Sequence, residues 1–313
     1  MAAKDNSVLD PNVDLYLAYA GMETDIIFNR GIDLPGFASY PLLETQDGRA
    51  LLKGYLSDMV ALGRAKGKGV ILESPTWVAN RDRGAGIGYS PETLKDLNRK
   101  AITLMAEVRS GDADVSILIS ANVGPRDDAY APKDQMTADE AETYHTEQIS
   151  VLAQTDADVV SGYTLAYPTE AIGIIRATRR FGLPVVIAFT VETNGKLPTG
   201  ISLEEAITEV DDATDGCAAY FMINCAHPEH FDKTLEDRAW MQRIKGIVAN
   251  ASRCSHAELD EATELDPGNP HELGHALNNI RKRFPHIKVL GGCCGTDMRH
   301  MTEIADPTAM PTP

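Results

Sequence analysis

The feature that most constrains the fold of this chain is a regular alternation of short apolar runs with amphipathic helical patterns. Runs of β-branched or apolar residues occur at Leu15–Ala20, Gly69–Leu72, Val115–Ser120, Asp158–Gly162, Pro184–Thr190, Ala219–Asn224, Lys245–Ala249 and Ile287–Leu290. Helical patterns between them include Pro91–Arg109, Thr137–Gln154, Thr169–Phe181, Ser202–Asp212, Glu229–Gln242 and Pro270–Phe284. This alternation predicts an α/β fold, a single (β/α)8 TIM barrel with its site at the C-terminal ends of the strands. A doubly wound sheet is the competing architecture, but no glycine-rich phosphate loop follows the first run.

Length and composition narrow the organisation and the class of function. The 313 residues contain no interdomain linker, so we expect a single domain over 1–313, with loose tails at 1–12 and 306–313. Hydrophobic content of 43% supports a full core, and no apolar run approaches the length of a membrane span. The N-terminus lacks the apolar region of a signal peptide, which favours the cytoplasm. A net charge of −17 argues against nucleic-acid binding, since no basic patch is available for phosphates.

The positions of the cysteines give the strongest functional signal. The chain has 5 cysteines, an odd number that argues against a disulfide framework. Cys225 ends the sixth run, while Cys293 and Cys294 end the eighth within Gly291-Gly292-Cys293-Cys294-Gly295-Thr296. In the predicted barrel these strand ends share one rim, so the three thiols converge although they are distant in sequence. Three thiolates suit Zn²⁺ and leave a fourth tetrahedral position open for a substrate.

Other interpretations of the adjacent Cys293 and Cys294 stay open. The pair can form a vicinal disulfide in a redox protein, which predicts no bound metal and a reversible loss of two thiols. It can also be two small buried residues in a tight turn that the flanking glycines permit. A non-catalytic barrel that binds zinc or a ligand is a further alternative.

Several motifs at the predicted strand ends resemble those of the homocysteine S-methyltransferase family. The members of this family are zinc-dependent barrels and include betaine–homocysteine methyltransferase. The specific motifs are Ile223-Asn224-Cys225, Gly291–Thr296, Gly21-Met22 with Thr24, and Val248-Ala249-Asn250-Ala251-Ser252. Weaker matches occur at Thr76-Trp77, Phe189-Thr190 and Leu203–Ala206. The resemblance covers most of the chain.

The resemblance implies an enzyme, a zinc-dependent thiol methyltransferase related to methionine biosynthesis. Cys225, Cys293 and Cys294 would bind Zn²⁺, and the sulfur of the acceptor would take the fourth position. The donor would be a small sulfonium or quaternary ammonium compound and the default acceptor homocysteine, with no separate general base. A homodimer, if one forms, must use the barrel surface.

Two positions depart from the pattern of this family. Its first strand usually ends in Asp-Gly and its fourth in Glu-Thr, acids that hold the amino group of homocysteine. The matching residues here are Tyr19-Ala20 and Tyr163-Thr164. Either Glu73 replaces the lost carboxylates, or the acceptor is a related thiol or selenol without an α-amino group. Aromatic side chains at these strand ends would form a wall for the donor cation. The predicted substrate-binding residues are Tyr19, Gly21, Met22, Glu73, Trp77, Tyr163 and Asn250.

Three other features of the sequence invite a functional interpretation. His271-Glu272-Leu273-Gly274-His275 matches a zinc-protease pattern, but Pro270 before it predicts an ordinary helix start. The glycine-rich segment 84–88 lies well past the second run, so we interpret residues 81–89 as part of a rim loop that can act as a lid. His227 and His230 are expected to be solvated loop residues near Cys225.

Overall fold

The computed structural model describes residues 8–306 and shows a closed barrel of parallel strands. The strands are β1 Tyr16–Ala20, β2 Gly69–Glu73, β3 Ile117–Val123, β4 Val159–Leu165, β5 Val185–Phe189, β6 Tyr220–Asn224, β7 Ile244–Ala249 and β8 Val289–Gly292. Each strand pairs with its neighbours in sequence, and β1 pairs with β8 to close the barrel. Every predicted run forms a strand, so the predicted (β/α)8 TIM barrel is confirmed.

Helices connect the strands. They are α1 Met22–Thr24, α2 Gln46–Lys66, α3 Arg81–Gly86, α4 Pro91–Ser110, α5 Ala138–Leu152, α6 Pro168–Arg179, α7 Leu203–Thr214, α8 Pro228–Phe231, α9 His256–Asp260, α10 Pro270–Arg283 and α11 Met298–Ala305. A π-helical turn covers Asp25–Asn29, and 3-10 turns cover Pro35–Phe37, Tyr40–Glu44, Asp232–Thr234 and Ala239–Arg243. Side-chain caps start many of these helices, such as Ser90 before α4 and Thr137 before α5, because a hydroxyl satisfies a free amide of the first turn.

The predicted helix Glu229–Gln242 is wrong. The segment is broken into α8 and two 3-10 turns, and Leu235 between them has an extended backbone. Leu235 and Met241 are both buried. On one continuous helix, two residues six positions apart would point in directions about 120° apart. The helix breaks so that both side chains can reach the core.

The predicted rim loop 81–89 is also different in the structure, because its first part is the helix α3. The side chain of Asn80 accepts a hydrogen bond from Arg83 N at 3.1 Å and caps this helix. A Cβ atom at Gly84 would lie 2.5 Å from the side chain of Leu94, so α3 packs closely against α4. The segment is therefore an ordered part of the barrel rim.

Apolar side chains fill two layers. One lies inside the barrel and includes Tyr16, Val186, Tyr220 and Val289, and the other lies between the strands and the helices. Of the predicted loose tails, 1–7 and 307–313 lie outside the described residues, while Val8 and Leu9 pack against the inner layer. None of the helices within residues 8–306 is both long enough and apolar enough to span a membrane.

Candidate metal centre and adjoining cavities

Three cysteine side chains meet at the C-terminal rim of the barrel. The sulfur atoms of Cys225, Cys293 and Cys294 all lie within 4.8 Å of one another. Cys225 and Cys293 are buried, and Cys294 is partly exposed. Zinc–sulfur bonds of about 2.3 Å in a tetrahedron hold sulfurs about 3.8 Å apart. The donor set therefore suits one zinc ion with a fourth position free.

The structure joins Cys225 and Cys293 as a disulfide, with their Cα atoms 5.5 Å apart, and leaves Cys294 as a free thiol. The sulfur of Cys294 lies within 4.8 Å of both others, and the vicinal Cys293–Cys294 disulfide of the redox interpretation stays a prediction. Cys225 and Cys293 meet across 68 positions because β6 and β8 end on the same rim. Coordination of one metal ion by all three sulfurs requires this bond to be reduced.

The first loop packs directly on the turn that carries Cys293 and Cys294. Gly21 has φ +58°, and a Cβ atom there would lie 2.5 Å from the carbonyl oxygens of Cys293 and Thr296. Gly295 N donates to Thr24 Oγ1 at 3.1 Å, which ties the same two segments together. Glycine at position 21 therefore lets the two backbones approach. Met22, also predicted to contact substrate, is buried beside it.

Cys225 adopts a backbone conformation that is unfavourable for a residue with a side chain. Its φ is +53°, in the left-handed region that costs a non-glycine residue about 1–2 kcal/mol. Hydrogen bonds hold it there: Cys225 N donates to Val248 O at 3.0 Å, and its carbonyl accepts from Asn250 Nδ2 at 3.1 Å and His256 Nε2 at 2.7 Å. These contacts aim the sulfur at the other two cysteines.

His256 is a site residue that the sequence analysis missed. It is buried, its Nδ1 lies 3.1 Å from Glu192 Oε1, and its ring stacks on Tyr130 with centroids 3.9 Å apart. The only sequence signal is the capping box formed by Ser255 and Glu258, which starts α9 and places His256 in its first turn. That signal predicts a helix start but not the direction of the imidazole.

The ends of β4 and β6 are linked by a pair of polar side chains. Thr164, with φ +61°, donates its backbone N–H to Asn224 Oδ1 at 2.9 Å. Asn224 Nδ2 in turn donates to Thr164 Oγ1 at 2.7 Å. The asparagine next to Cys225 therefore supports the bend near the end of β4, and both Asn224 and Thr164 line the cavity beside the cysteines.

A small inner cavity of about 60 Å³ opens directly on the cysteines. The three cysteines line one side, and the other walls include Tyr19, Glu23, Asn122, Trp77, Tyr130 and Tyr163. Tyr19, Trp77 and Tyr163 were predicted to contact substrate. All three line the cavity beside the cysteines, and their contact with substrate stays a prediction.

Glu73 lies outside both cavity walls. It is buried behind Tyr163, whose hydroxyl donates to Glu73 Oε1 at 2.9 Å. Burial raises the pKa of Glu73 to about 7, and the hydrogen bond from Tyr163 opposes part of that rise. In this position the carboxylate contacts the tyrosine rather than the space in which a substrate would lie.

A larger outer cavity of about 420 Å³ adjoins the inner one. The two share Phe37, Trp77, Tyr130 and Cys294 as lining residues, so they meet at these side chains. The outer walls carry carboxylates at Asp128, Asp260, Glu264 and Asp266, while Asn250 and Ser252 lie toward the cysteine turn. Burial, and then the nearby Asp128, raise the pKa of Asp260. Arg83 lines the same cavity and offsets part of this charge, so the wall keeps an excess of acidic groups that a cationic ligand would neutralise.

The histidines singled out in the sequence have structural roles. Asn269 caps α10, and His271 lies 3.2 Å from Glu303, so the predicted ordinary helix start is confirmed. His227 is buried and accepts a hydrogen bond from Glu229 N at 3.3 Å, so the expectation of a solvated residue is wrong. Burial lowers the pKa of His227 to about 4. His230 donates to Arg253 O at 2.9 Å.

Comparison with known proteins places these features in context. The sequence model of the homocysteine S-methyltransferase family matches residues 21–308. The structure is similar to the homocysteine methyltransferase MmuM from Escherichia coli, with a TM-score of 0.73 to its oxidised form and 0.70 to its metallated form. The sequence identities are 17% and 15%, and each alignment covers 94% of this chain and 96% of the other. These similarities support the barrel fold.

A curated relative is also similar in sequence. Methionine synthase from Mycobacterium tuberculosis (strain ATCC 25618 / H37Rv) is 29% identical over 164 residues. The alignment covers 51% of this chain and 13% of that protein, so this chain matches only a small part of the relative.

Proposed function

The chain belongs to the homocysteine S-methyltransferase family, and on that premise we propose that it is a zinc-dependent methyltransferase with a thiol acceptor. The donor is a small sulfonium or quaternary ammonium compound, and homocysteine is the acceptor that the family indicates. The observation that carries the proposal is the convergence of three cysteine sulfurs within 4.8 Å at the wall of a cavity. Packing alone would not require a cysteine at each of these three positions.

Cys225, Cys293 and Cys294 are the residues that would hold the metal. Bound zinc lowers the pKa of a neighbouring thiol and so favours the nucleophilic thiolate of the acceptor. The chain itself disfavours negative charge here, because burial, and then the Glu23 carboxylate, raise the pKa of Cys294 to about 12. A cation at this point would favour the ionised form of the cysteines.

The acceptor thiol loses its proton to water on forming the thiolate, and the methyl transfer itself then needs no general acid or base. A bond forms between the acceptor sulfur and the methyl carbon, while the bond from that carbon to the donor S⁺ or N⁺ breaks. The electron pair stays on the leaving heteroatom, which departs neutral. The protein then has to align the reactants and exclude water. Trp77 and Tyr130 border both cavities, which supports the proposal that they flank the two reactants.

The outer cavity suits the donor. Phe28 and Phe37 supply aromatic faces, and one free face contributes about 0.5–2 kcal/mol to binding of a desolvated cation. Trp77 and Tyr130 also line this cavity, with the guanidinium of Arg83 over the Trp77 ring and His256 stacked on Tyr130. The carboxylates of Asp128 and Asp260 add long-range attraction. A donor cation held here would reach the acceptor where the two cavities meet, beside Trp77 and Tyr130.

The chemistry of the cysteines also bears on the cellular compartment in which the protein acts. Three reduced cysteines are stable in a reducing compartment, and we therefore propose that the protein acts in the cytoplasm. We propose in addition that the barrel works as a single domain, with a small-molecule donor and acceptor as its partners.

Metal analysis followed by a methyl-transfer assay tests the proposal. Protein purified with a reductant and without chelators should hold about one zinc per chain. It should then methylate homocysteine from dimethylsulfonioacetate or glycine betaine, which carry the same carboxymethyl group on different cationic atoms. Absence of zinc together with a stable Cys225–Cys293 disulfide under mild reductant would instead support a redox protein. Zinc without transfer from either probe would support a non-catalytic barrel.

A further inference from the structure

A buried carboxylate that the sequence analysis did not single out, Glu23, lines the inner cavity beside the cysteines. The residue is 7% exposed. Its Oε1 accepts a hydrogen bond from Ser39 Oγ at 2.7 Å, whereas its Oε2 is buried without any partner. Among residues 8–306, no basic side chain forms an ion pair with it. Leaving a carboxylate oxygen buried and unpaired is costly, and a ligand that donates to it would remove that cost.

Glu23 is held in this position by its neighbours in sequence. Gly21 packs on the backbone of Cys293, and Thr24 accepts the hydrogen bond from Gly295. The carboxylate lies close enough to Cys294 to contribute to its raised pKa. It is nevertheless outside the group of ligand atoms within 4.8 Å of one another, so it is placed beside the metal site rather than in it.

The inner cavity holds a second acceptor that lacks a donor. Asn122 is 6% exposed, and its Oδ1 is buried without a hydrogen-bond partner. Together with Glu23 Oε2 it calls for a ligand that presents several N–H groups and a positive charge. A primary ammonium group offers three such donors, whereas a sulfonium or a quaternary ammonium offers none. The cavity thus distinguishes the cation of an amino-acid acceptor from that of a methyl donor.

We propose that Glu23 binds the α-ammonium group of an amino-acid thiol acceptor and so selects homocysteine-like acceptors over thiols without an amino group. This inference rests on the proposed function, since it assumes that a thiol occupies the cysteine site. It assigns the role to Glu23 rather than to Glu73. Glu73 is also buried with one unpaired oxygen, but it accepts from Tyr163 and does not line the cavity.

The test compares two acceptors that differ only in the amino group. L-Homocysteine and 4-mercaptobutanoate are titrated calorimetrically into reduced, zinc-loaded wild-type protein, Glu23→Gln and the matched control Glu73→Gln. Wild type should bind homocysteine at least about tenfold more tightly than 4-mercaptobutanoate. Glu23→Gln should weaken homocysteine about 10- to 100-fold, as loss of a charge-assisted hydrogen bond does, and should change 4-mercaptobutanoate by less than about threefold. Glu73→Gln should preserve the preference of the wild type.

The outcomes separate this inference from the function on which it rests. Equal binding of both acceptors to wild type would overturn the role of Glu23 and leave the zinc-thiol site in place, and this comparison needs no variant. An equal loss for both acceptors in Glu23→Gln, or a loss of homocysteine preference in Glu73→Gln, would overturn it as well. Failure of wild type to bind zinc or either thiol would overturn the proposed function itself, and the assignment of Glu23 with it.

Discussion

Replacement of Gly21 by alanine should damage the cysteine site from a position that carries no reactive group. A left-handed alanine costs about 1–2 kcal/mol relative to glycine. The new Cβ would also lie 2.5 Å from the backbone oxygens of Cys293 and Thr296. Such overpacking costs a further amount of about 1–3 kcal/mol. Gly21→Ala should therefore lower the free energy of unfolding by about 2–5 kcal/mol. Because relief of the contact displaces Cys293, zinc affinity should fall by about tenfold or more.

Gly31→Ala is the matched control. Gly31 also has a left-handed backbone, with φ +65°, but a Cβ there would meet nothing within 4 Å. This variant should lose only about 1–2 kcal/mol and retain the zinc affinity of the wild type. Urea unfolding of the reduced, metal-free proteins gives the stabilities, and competition with a chromogenic chelator gives the zinc affinities. Equal stabilities within about 0.5 kcal/mol and equal zinc affinities for the two variants would refute the argument that Gly21 supports the cysteine turn.

Three further predictions concern the site and its surroundings. Cys225→Ser should reduce the zinc content from about one ion per chain to almost none and should abolish methyl transfer. The control Cys254→Ser, at an exposed position, should change neither property. Stoichiometric zinc in Cys225→Ser would contradict the metal site. His256→Ala removes the 2.7 Å hydrogen bond to the Cys225 carbonyl. The free energy of unfolding in urea should therefore fall by about 1–3 kcal/mol, and competition with a chelator should show weaker zinc binding. Unchanged values would mean that His256 does not hold the strained Cys225. In the folded protein the pKa of Glu73 is about 7, above its ordinary value of 4.5. The contribution of Glu73 to stability is therefore fully present below pH 4.5 and is lost as the pH rises through 7. Wild type should thus lose more stability than Glu73→Gln between pH 5 and pH 8 in urea titrations, and parallel pH profiles would contradict this assignment.

The course of the strands could be predicted from the sequence because buried parallel strands appear as short apolar runs separated by helical patterns. Helices with a clear capping residue, such as the one that Ser90 starts, were also predictable. The segment after Cys225 was not, because its apolar residues resemble one amphipathic helix. Only the structure shows that this segment breaks at the extended Leu235 while Leu235 and Met241 are both buried in the core.

The cysteine cluster was predictable for a topological reason. Strand ends of a closed parallel barrel share one rim, so the sequence positions of Cys225, Cys293 and Cys294 relative to the strands were sufficient to bring them together. The joining of Cys225 to Cys293 was not predictable, because it depends on the direction of each sulfur within the turn.

By itself, the sequence determined the barrel, the rim on which the site lies and the residues that would bind the metal. Only the tertiary structure decided which carboxylate lines the cavity beside the cysteines: Glu23 does, whereas Glu73 lies behind Tyr163. The physical reason lies in the strand ends, where Tyr19 and Thr164 adopt left-handed conformations that interrupt the alternation of faces along β1 and β4. Beyond such a bend, the direction of a side chain is set by the packing of neighbouring loops, which a pattern of period two cannot show.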